Sequence, residues 1–359
     1  MKVGIVGLQQ TGKTTLFKAI TQGQAPVDEY GGKANIGVVA VPDERFDWLV
    51  ETNHPKKITP ATIEVIDGAA KIGDDQRGRF GSDFFQDVRA ADALIHIVRA
   101  FTSPAGEAPT PVKDARALNE ELLLADLQSV ETRIARVEKS LHGTKKDATT
   151  PQTMERDFLN QIKDAMEEGK SLASLNMTPD QEKMVHGYDF MSQKPQIVVA
   201  NITEDEIGNT ENEAVKELQA YCDESGIPML VLSAKVEAEV AELPAEEQKE
   251  YLEALGLEKP ARYRLINETY SSLGLISFYT AGEPEVKAYS ITKGTTVVDA
   301  AGKIHSDIAR GFIRAEVGHF DDVKAAGGWD EAKRAGKVEL YMKDYIVQNG
   351  DIMYIRFKV

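Results

Sequence analysis

Residues 2–20 read KVGIVGLQQTGKTTLFKAI. A short apolar run, Val3 to Val6, is followed by Gly7, four residues, and then Gly12-Lys13-Thr14. The run reads as a buried strand and KTTLFKAI as the helix after it. A glycine-bearing loop between them lets backbone N–H groups wrap a phosphate without obstruction by side chains. The following helix turns its positive end toward the same point. Lys13 places an ammonium beside the terminal phosphates, and the Thr14 hydroxyl suits Mg²⁺. Gln10, Thr11, Gly12, Lys13, Thr14 and Thr15 are therefore the nucleotide-binding candidates, and Lys13 is the catalytic one. A second apolar run, TIEVID (62–67), ends on Asp67, the natural carboxylate for the magnesium shell. Its structural alternative is a cap on the next turn.

Around this motif, GVVAV (37–41), TIEVID (62–67) and ADALIHIVRAF (91–101) read as further strands separated by polar, helical segments. Such alternation predicts an α/β fold with a mostly parallel sheet. After Pro104, Pro109 and Pro111 the texture becomes helical and polar, from about 115 to 190. Leu118, Leu122, Ala125, Val130, Ile134 and Val137 fall near helical spacing, and GTKKDATTP breaks the pattern before it resumes. This predicts an antiparallel helical hairpin. KPQIVVANITE (194–204) and PMLVLSAK (228–235) return to strand texture, and 236–273 reads as helical. From about 275, VKAYSI, FIRAEV, KDYIV and IMYIRFKV read as short strands around one helix, TVVDAAGKIH. The predicted organisation is a discontinuous nucleotide-binding domain (1–115 and 191–274), an inserted hairpin (116–190) and a small C-terminal α+β domain (275–359).

Composition narrows the function. The 359 residues are 42% hydrophobic and 28% charged, ordinary for a globular protein. No apolar run reaches membrane-spanning length and no secretory signal is evident, so a cytoplasmic, membrane-independent protein is expected. The single cysteine, Cys222, excludes an internal disulfide framework. A net charge of −16 disfavours nucleic acid on average but leaves room for a local basic face. The six histidines show no zinc-ligand spacing, and His96 reads as a strand residue rather than a base.

Longer stretches carry a resemblance. GIVGLQQTGKTTLFKAIT, GVVAVPDERFDWL, NEELLLADLQSVETRI, SAKVEAEVAEL, YSSLGLISFYTAGEPEVKAYSI, AGKIHSDIARGFIRAEV and KDYIVQNGDIMYIRF span nearly the whole chain. Over that length it resembles the YchF / Obg-like ATPase family of translation-factor-class P-loop NTPases. The resemblance implies a P-loop domain, an inserted hairpin and a C-terminal TGS domain of β-grasp type. It also implies ribosome association, with hairpin and TGS domain forming a groove for ribosomal RNA or protein. The basic residues that could face RNA include Lys139, Lys145, Lys146, Arg310 and Arg314, each with solvated surface charge as its alternative. Asn201-Ile202-Thr203-Glu204 stands where related GTPases carry Asn-Lys-x-Asp. The resemblance implies that ATP is preferred over GTP, and losing the aspartate removes the pairing to guanine's donor edge. Asn201, Ile202 and Glu204 would line the base pocket, and Ser233-Ala234-Lys235 would close it.

The chain departs from the family pattern in three places. Gln9-Gln10-Thr11 replaces Pro-Asn-Val in the phosphate loop. Gly31 stands about where a magnesium-reaching threonine belongs. Asp67-Gly68-Ala69-Ala70-Lys71 replaces Asp-x-Ala-Gly-Leu, so Ala70 takes the place of the γ-phosphate-sensing glycine. Lys71, Arg77 or Arg79 could supply charge, or be solvated loop charges. The leading expectation is a slow or activated, Mg²⁺-dependent ATPase. The alternatives are a non-hydrolysing, nucleotide-dependent adaptor and a GTP-binding regulator.

Overall fold

The computed structural model describes residues 1–27, 34–68, 81–141, 150–170, 172 and 175–358. The fold is mixed α/β with two sheets, and the chain divides into two compact units. In chain order the first elements are β1 (Lys2–Val6), α1 (Lys13–Thr21), β2 (Asn35–Ala40), α2 (Glu44–Asn53), β3 (Ile58–Thr59) and β4 (Thr62–Asp67). Next come α3 (Ser82–Ala90), β5 (Ala93–Arg99), α4 (Pro111–Ser140), α5 (Pro151–Glu167) and α6 (Pro179–Tyr188). β6 (Gln196–Asn201), α7 (Glu213–Ser225), β7 (Met229–Leu232), α8 (Ala234–Glu242), α9 (Ala245–Ala254) and α10 (Ala261–Ser272) follow. The chain closes with β8 (Leu275–Ala281), β9 (Val286–Thr292), α11 (Val297–Ile304), α12 (Ser306–Arg310), β10 (Phe312–His319), α13 (Phe320–Ala326), α14 (Trp329–Arg334), β11 (Val338–Tyr341) and β12 (Asp351–Phe357).

The first unit holds residues 1–19, 25–36 and 66–242. Its strands β1, β5, β6 and β7 pair in that order, all parallel, with Ile5 opposite Ile95, Ile97 opposite Val199 and Ala200 opposite Val231. β5 is buried along almost its whole length, as a central parallel strand requires. One apolar stripe of α4 serves two partners. Leu118 and Leu122 pack with Val6, Phe84, Val88, Leu94 and Met191, whereas Val130 and Ile134 pack with Phe158, Leu159 and Ile162 of α5. Arg133 pairs with Glu155 and Glu131 with Lys163, so position rises on α4 as it falls on α5. The two helices are therefore antiparallel. Pro111 and Pro151 start them with the φ a first helical turn needs, and Thr150 and Thr153 cap α5 reciprocally.

The second unit holds residues 20–24, 37–65 and 243–359. Its sheet runs β11-β10-β12-β8-β9-β3 and mixes antiparallel with parallel pairs. Phe278, Ile291, Val297, Ala300, Phe312, Val317 and Met353 form its core. Asp43 caps α2 and also takes the Arg45 guanidinium and the Tyr279 hydroxyl.

Several sequence readings change. KDYIV (343–347) is not a strand: it is turn-like, with one isolated bridge from Ile346 to Thr296, and the strand lies earlier, at β11. β8 and helices α12 to α14 lie among segments given no separate element in the sequence reading. Within the second unit, β3 pairs with β9 and α10 leads into β8. No helix among the described residues is long and apolar enough to cross a membrane.

Leu159 is fully buried between α4 and α5. Leu159→Ala is expected to cost about 2–5 kcal/mol through lost burial and a residual cavity, read as a fall in the urea midpoint of the full chain.

Candidate functional site

The site builds on the space between β1 and α1. Gly7 leaves the strand and Gly12 precedes the helix, at φ 153° and 99°. A Cβ on Gly7 would stand 2.4 Å from the Ile97 carbonyl oxygen, and one on Gly12 would stand 2.5 Å from Asn201 Nδ2. Neither position admits a side chain, so the loop lies directly on β5 and β6. Gln10 adopts φ 59°, a left-handed conformation that costs a non-glycine residue roughly 1–2 kcal/mol. Thr11 is buried, and its hydroxyl donates to the Leu8 carbonyl at 3.0 Å.

Lys13 is half-buried with its ammonium turned inward. It donates to the carbonyls of Leu8 at 2.6 Å and Gly7 at 3.1 Å. Burial lowers its pKa to about 8, against an opposing pull from Asp67. Thr14 Oγ1 donates to Asp67 Oδ2 at 2.9 Å, and Asn35 Nδ2 donates to the same oxygen at 3.2 Å. Burial raises the Asp67 pKa; those two bonds and Lys13 oppose the rise. Among the described residues, no three His, Cys, Asp or Glu side chains gather into a metal cage. A hydroxyl and a carboxylate beside an amide-lined loop nevertheless suit Mg²⁺, which takes few protein oxygens and keeps several waters.

Asn201 ends β6 and is buried. Its Nδ2 donates to the Thr11 carbonyl at 2.8 Å, and its Oδ1 accepts the Ala234 N–H at 2.9 Å. It therefore braces the phosphate loop against the start of α8, and its amide has a contact at both ends. Ile202 is buried and donates its N–H to Leu232. Ser233 is buried, and its carbonyl accepts the Glu237 N–H. Glu204 is exposed at the start of a short 3-10 turn, and Lys235 pairs with Glu239. The structure thus gathers Thr11, Gly12, Lys13, Thr14, Asp67, Asn201 and Ala234 by direct contact. Gln10 is exposed on the loop, and Thr15 lies within the first turn of α1. Asn35 escaped the sequence reading; its signal was a polar residue opening a strand just after the Gly31 segment.

Gly31, Ala70, Lys71, Arg77, Arg79, Lys145 and Lys146 lie outside the described residues. Lys139 and Arg314 are exposed, and Arg310 pairs with Asp307. His96 is a buried β5 residue bonded to Gln196 at 2.8 Å; burial, then Lys13, hold its pKa near 3, so it stays neutral. Cys222 is buried and its thiol is pushed up to about 11, which leaves it inert.

Comparison with known proteins identifies the lineage. The YchF-GTPase_C family model, described as a protein of unknown function (DUF933), matches residues 275–358. A Bacillus subtilis (strain 168) protein named ribosome-binding ATPase YchF is 40% identical, and the match covers 100% of both chains. The Obg-like ATPase 1 of Oryza sativa subsp. japonica is 31% identical over 100% of this chain and 92% of its own. The solved structure of the Schizosaccharomyces pombe YchF GTPase superimposes with a TM-score of 0.86 at 29% identity, covering 99% of this chain and 97% of that one. The chain belongs to the YchF family.

The Lys13 environment sets a proton balance. Unfolded, the group would release its proton near 10.5; folded and free of ligand, it does so near 8. The ligand-free protein therefore gains stability from this group as pH rises from 8 to 10.5. A polyphosphate held against Lys13 would restore its charge, so the Lys13 share of the proton uptake on binding should be roughly half a proton at pH 8 and almost none at pH 6.5. Calorimetry in buffers of different ionisation enthalpy reads this directly, and Lys13→Ala should abolish it.

Proposed function

We propose that this chain binds ATP at the loop of residues 7–15, hydrolyses it slowly or only when activated, and works in association with ribosomes in the cytoplasm. The observation that carries the reading is the loop itself: it is pressed onto β5 and β6 by two side-chain-free positions and ends on Lys13 at the start of α1. Backbone N–H groups from Gln10 to Thr15 would cradle the phosphates, as a nest at a helix start does. Lys13 would exchange the Gly7 and Leu8 carbonyls for phosphate oxygens, replacing neutral acceptors with charged ones. Thr14 and Asp67 would hold Mg²⁺, which supplies charge neutralisation along the phosphate chain. The relatives named ribosome-binding ATPases support the ribosomal part of the reading.

The corresponding division of labour is a P-loop domain (1–115 and 191–274), an inserted hairpin (116–190) and a β-grasp TGS domain (275–359). The antiparallel α4–α5 pair and the family match over 275–358 support it. Hairpin and TGS domain would supply the contact to ribosomal RNA or protein.

The base pocket favours adenine. Asn201 is held by Thr11 and Ala234, and Glu204 stands in place of the aspartate that would pair with guanine. The relatives' names divide between ATPase and GTPase, so nucleotide choice is a measurable property of this chain. In competition calorimetry with Mg²⁺, ATP should displace GTP; the reverse order overturns the adenine assignment.

Turnover is tested by single-turnover release of γ-labelled phosphate from ATP, with and without ribosomes. Lys13→Ala should lower the rate by about 10²-fold or more, the usual loss on removing one charge-stabilising donor. Tight ATP binding with no phosphate release in either condition would instead assign a nucleotide-dependent adaptor.

A further inference from the structure

We infer that Asn35 is a positioning residue that holds the Asp67 carboxylate in its metal-facing orientation. The inference rests on the nucleotide reading above and concerns how that site is set. Asn35 is the first residue of β2 and is buried. Its Nδ2 reaches Asp67 Oδ2 at 3.2 Å, and the Thr14 hydroxyl reaches that same oxygen at 2.9 Å. Two donors from separate elements, β2 and α1, therefore converge on one oxygen at the end of a third, β4. One donor leaves a carboxylate free to rotate about its terminal bond; two anchored donors fix it.

The chemistry of the donor matters. Lys13 bonds to the Gly7 and Leu8 carbonyls, so both hydrogen bonds to Asp67 come from uncharged groups. An amide orients the carboxylate without cancelling the charge a cation needs. It also leaves Thr14 free to give an oxygen lone pair to a metal while its O–H still donates to Asp67. Partners behind a metal-holding carboxylate commonly tune affinity by 10–100-fold. Asn35 lies 32 positions from Asp67, and only the fold joins them.

The test uses the full-length chain and a fluorescent ATP analogue, titrated with Mg²⁺ from an EDTA-containing start. Asn35→Ala should raise the Mg²⁺ concentration for half-maximal tightening by about 10–100-fold, while affinity in EDTA stays at the wild-type value. In an Asp67→Ala background the same substitution should add nothing, because its effect runs through that carboxylate. Should Asn35→Ala lose its cooperative thermal melt, Asn35→Leu, of similar size and without a donor, carries the same expectation. An unmoved Mg²⁺ midpoint in a folded variant, or a further shift in the Asp67→Ala background, overturns the assignment. Failure of the wild-type chain to bind the analogue overturns the nucleotide reading instead, so the two failures are separable.

Discussion

The close approach of the phosphate loop to β5 and β6 is the constraint on which the site depends. Gly7 lies against the Ile97 carbonyl and Gly12 against the Asn201 amide, with no room for a β-carbon at either point. That approach sets the loop directly against β5 and β6. It also lets a single asparagine span from the Thr11 carbonyl to the Ala234 N–H. Buried amide bonds of this kind are modest in net energy but costly to leave unmade, so they tie the loop to the start of α8.

Charge is managed around that frame by uncharged partners. Lys13 rests on carbonyls with a pKa lowered to about 8, and Asp67 is raised by burial. Both groups are thus less committed to their charged forms than their types would ordinarily be. Phosphate beside Lys13 and a divalent cation beside Asp67 would reverse both tendencies, since each supplies the opposite charge. In the proposed reading, the two ligands would therefore favour each other's binding for electrostatic reasons.

The helical insertion shows how one sequence stripe serves two jobs. Leu118 and Leu122 belong to the packing of α4 against the sheet, whereas Val130 and Ile134 belong to α5. The heptad-like spacing is continuous, so sequence alone does not mark where one partner ends and the next begins. Its solvated ion pairs, Arg133–Glu155 and Lys163–Glu131, set orientation more than stability.

Local pattern determined the strand–loop–helix, the phosphate candidates, the helical insertion and most strands, because each is written in contiguous residues whose periodicity reports their own burial. It read KDYIV as a strand, since alternating apolar residues look alike in a strand and in a turn held by one bridge. Tertiary structure alone decided what distant residues do to each other. It tied Asn201 to the Thr11 carbonyl and the Ala234 N–H, and brought Asn35 to Asp67. It also paired β3 with β9 of the C-terminal sheet. The physical reason is the same in each case: a side chain's hydrogen-bond partner, or a strand's neighbour, is fixed by chain crossings that no local spacing encodes.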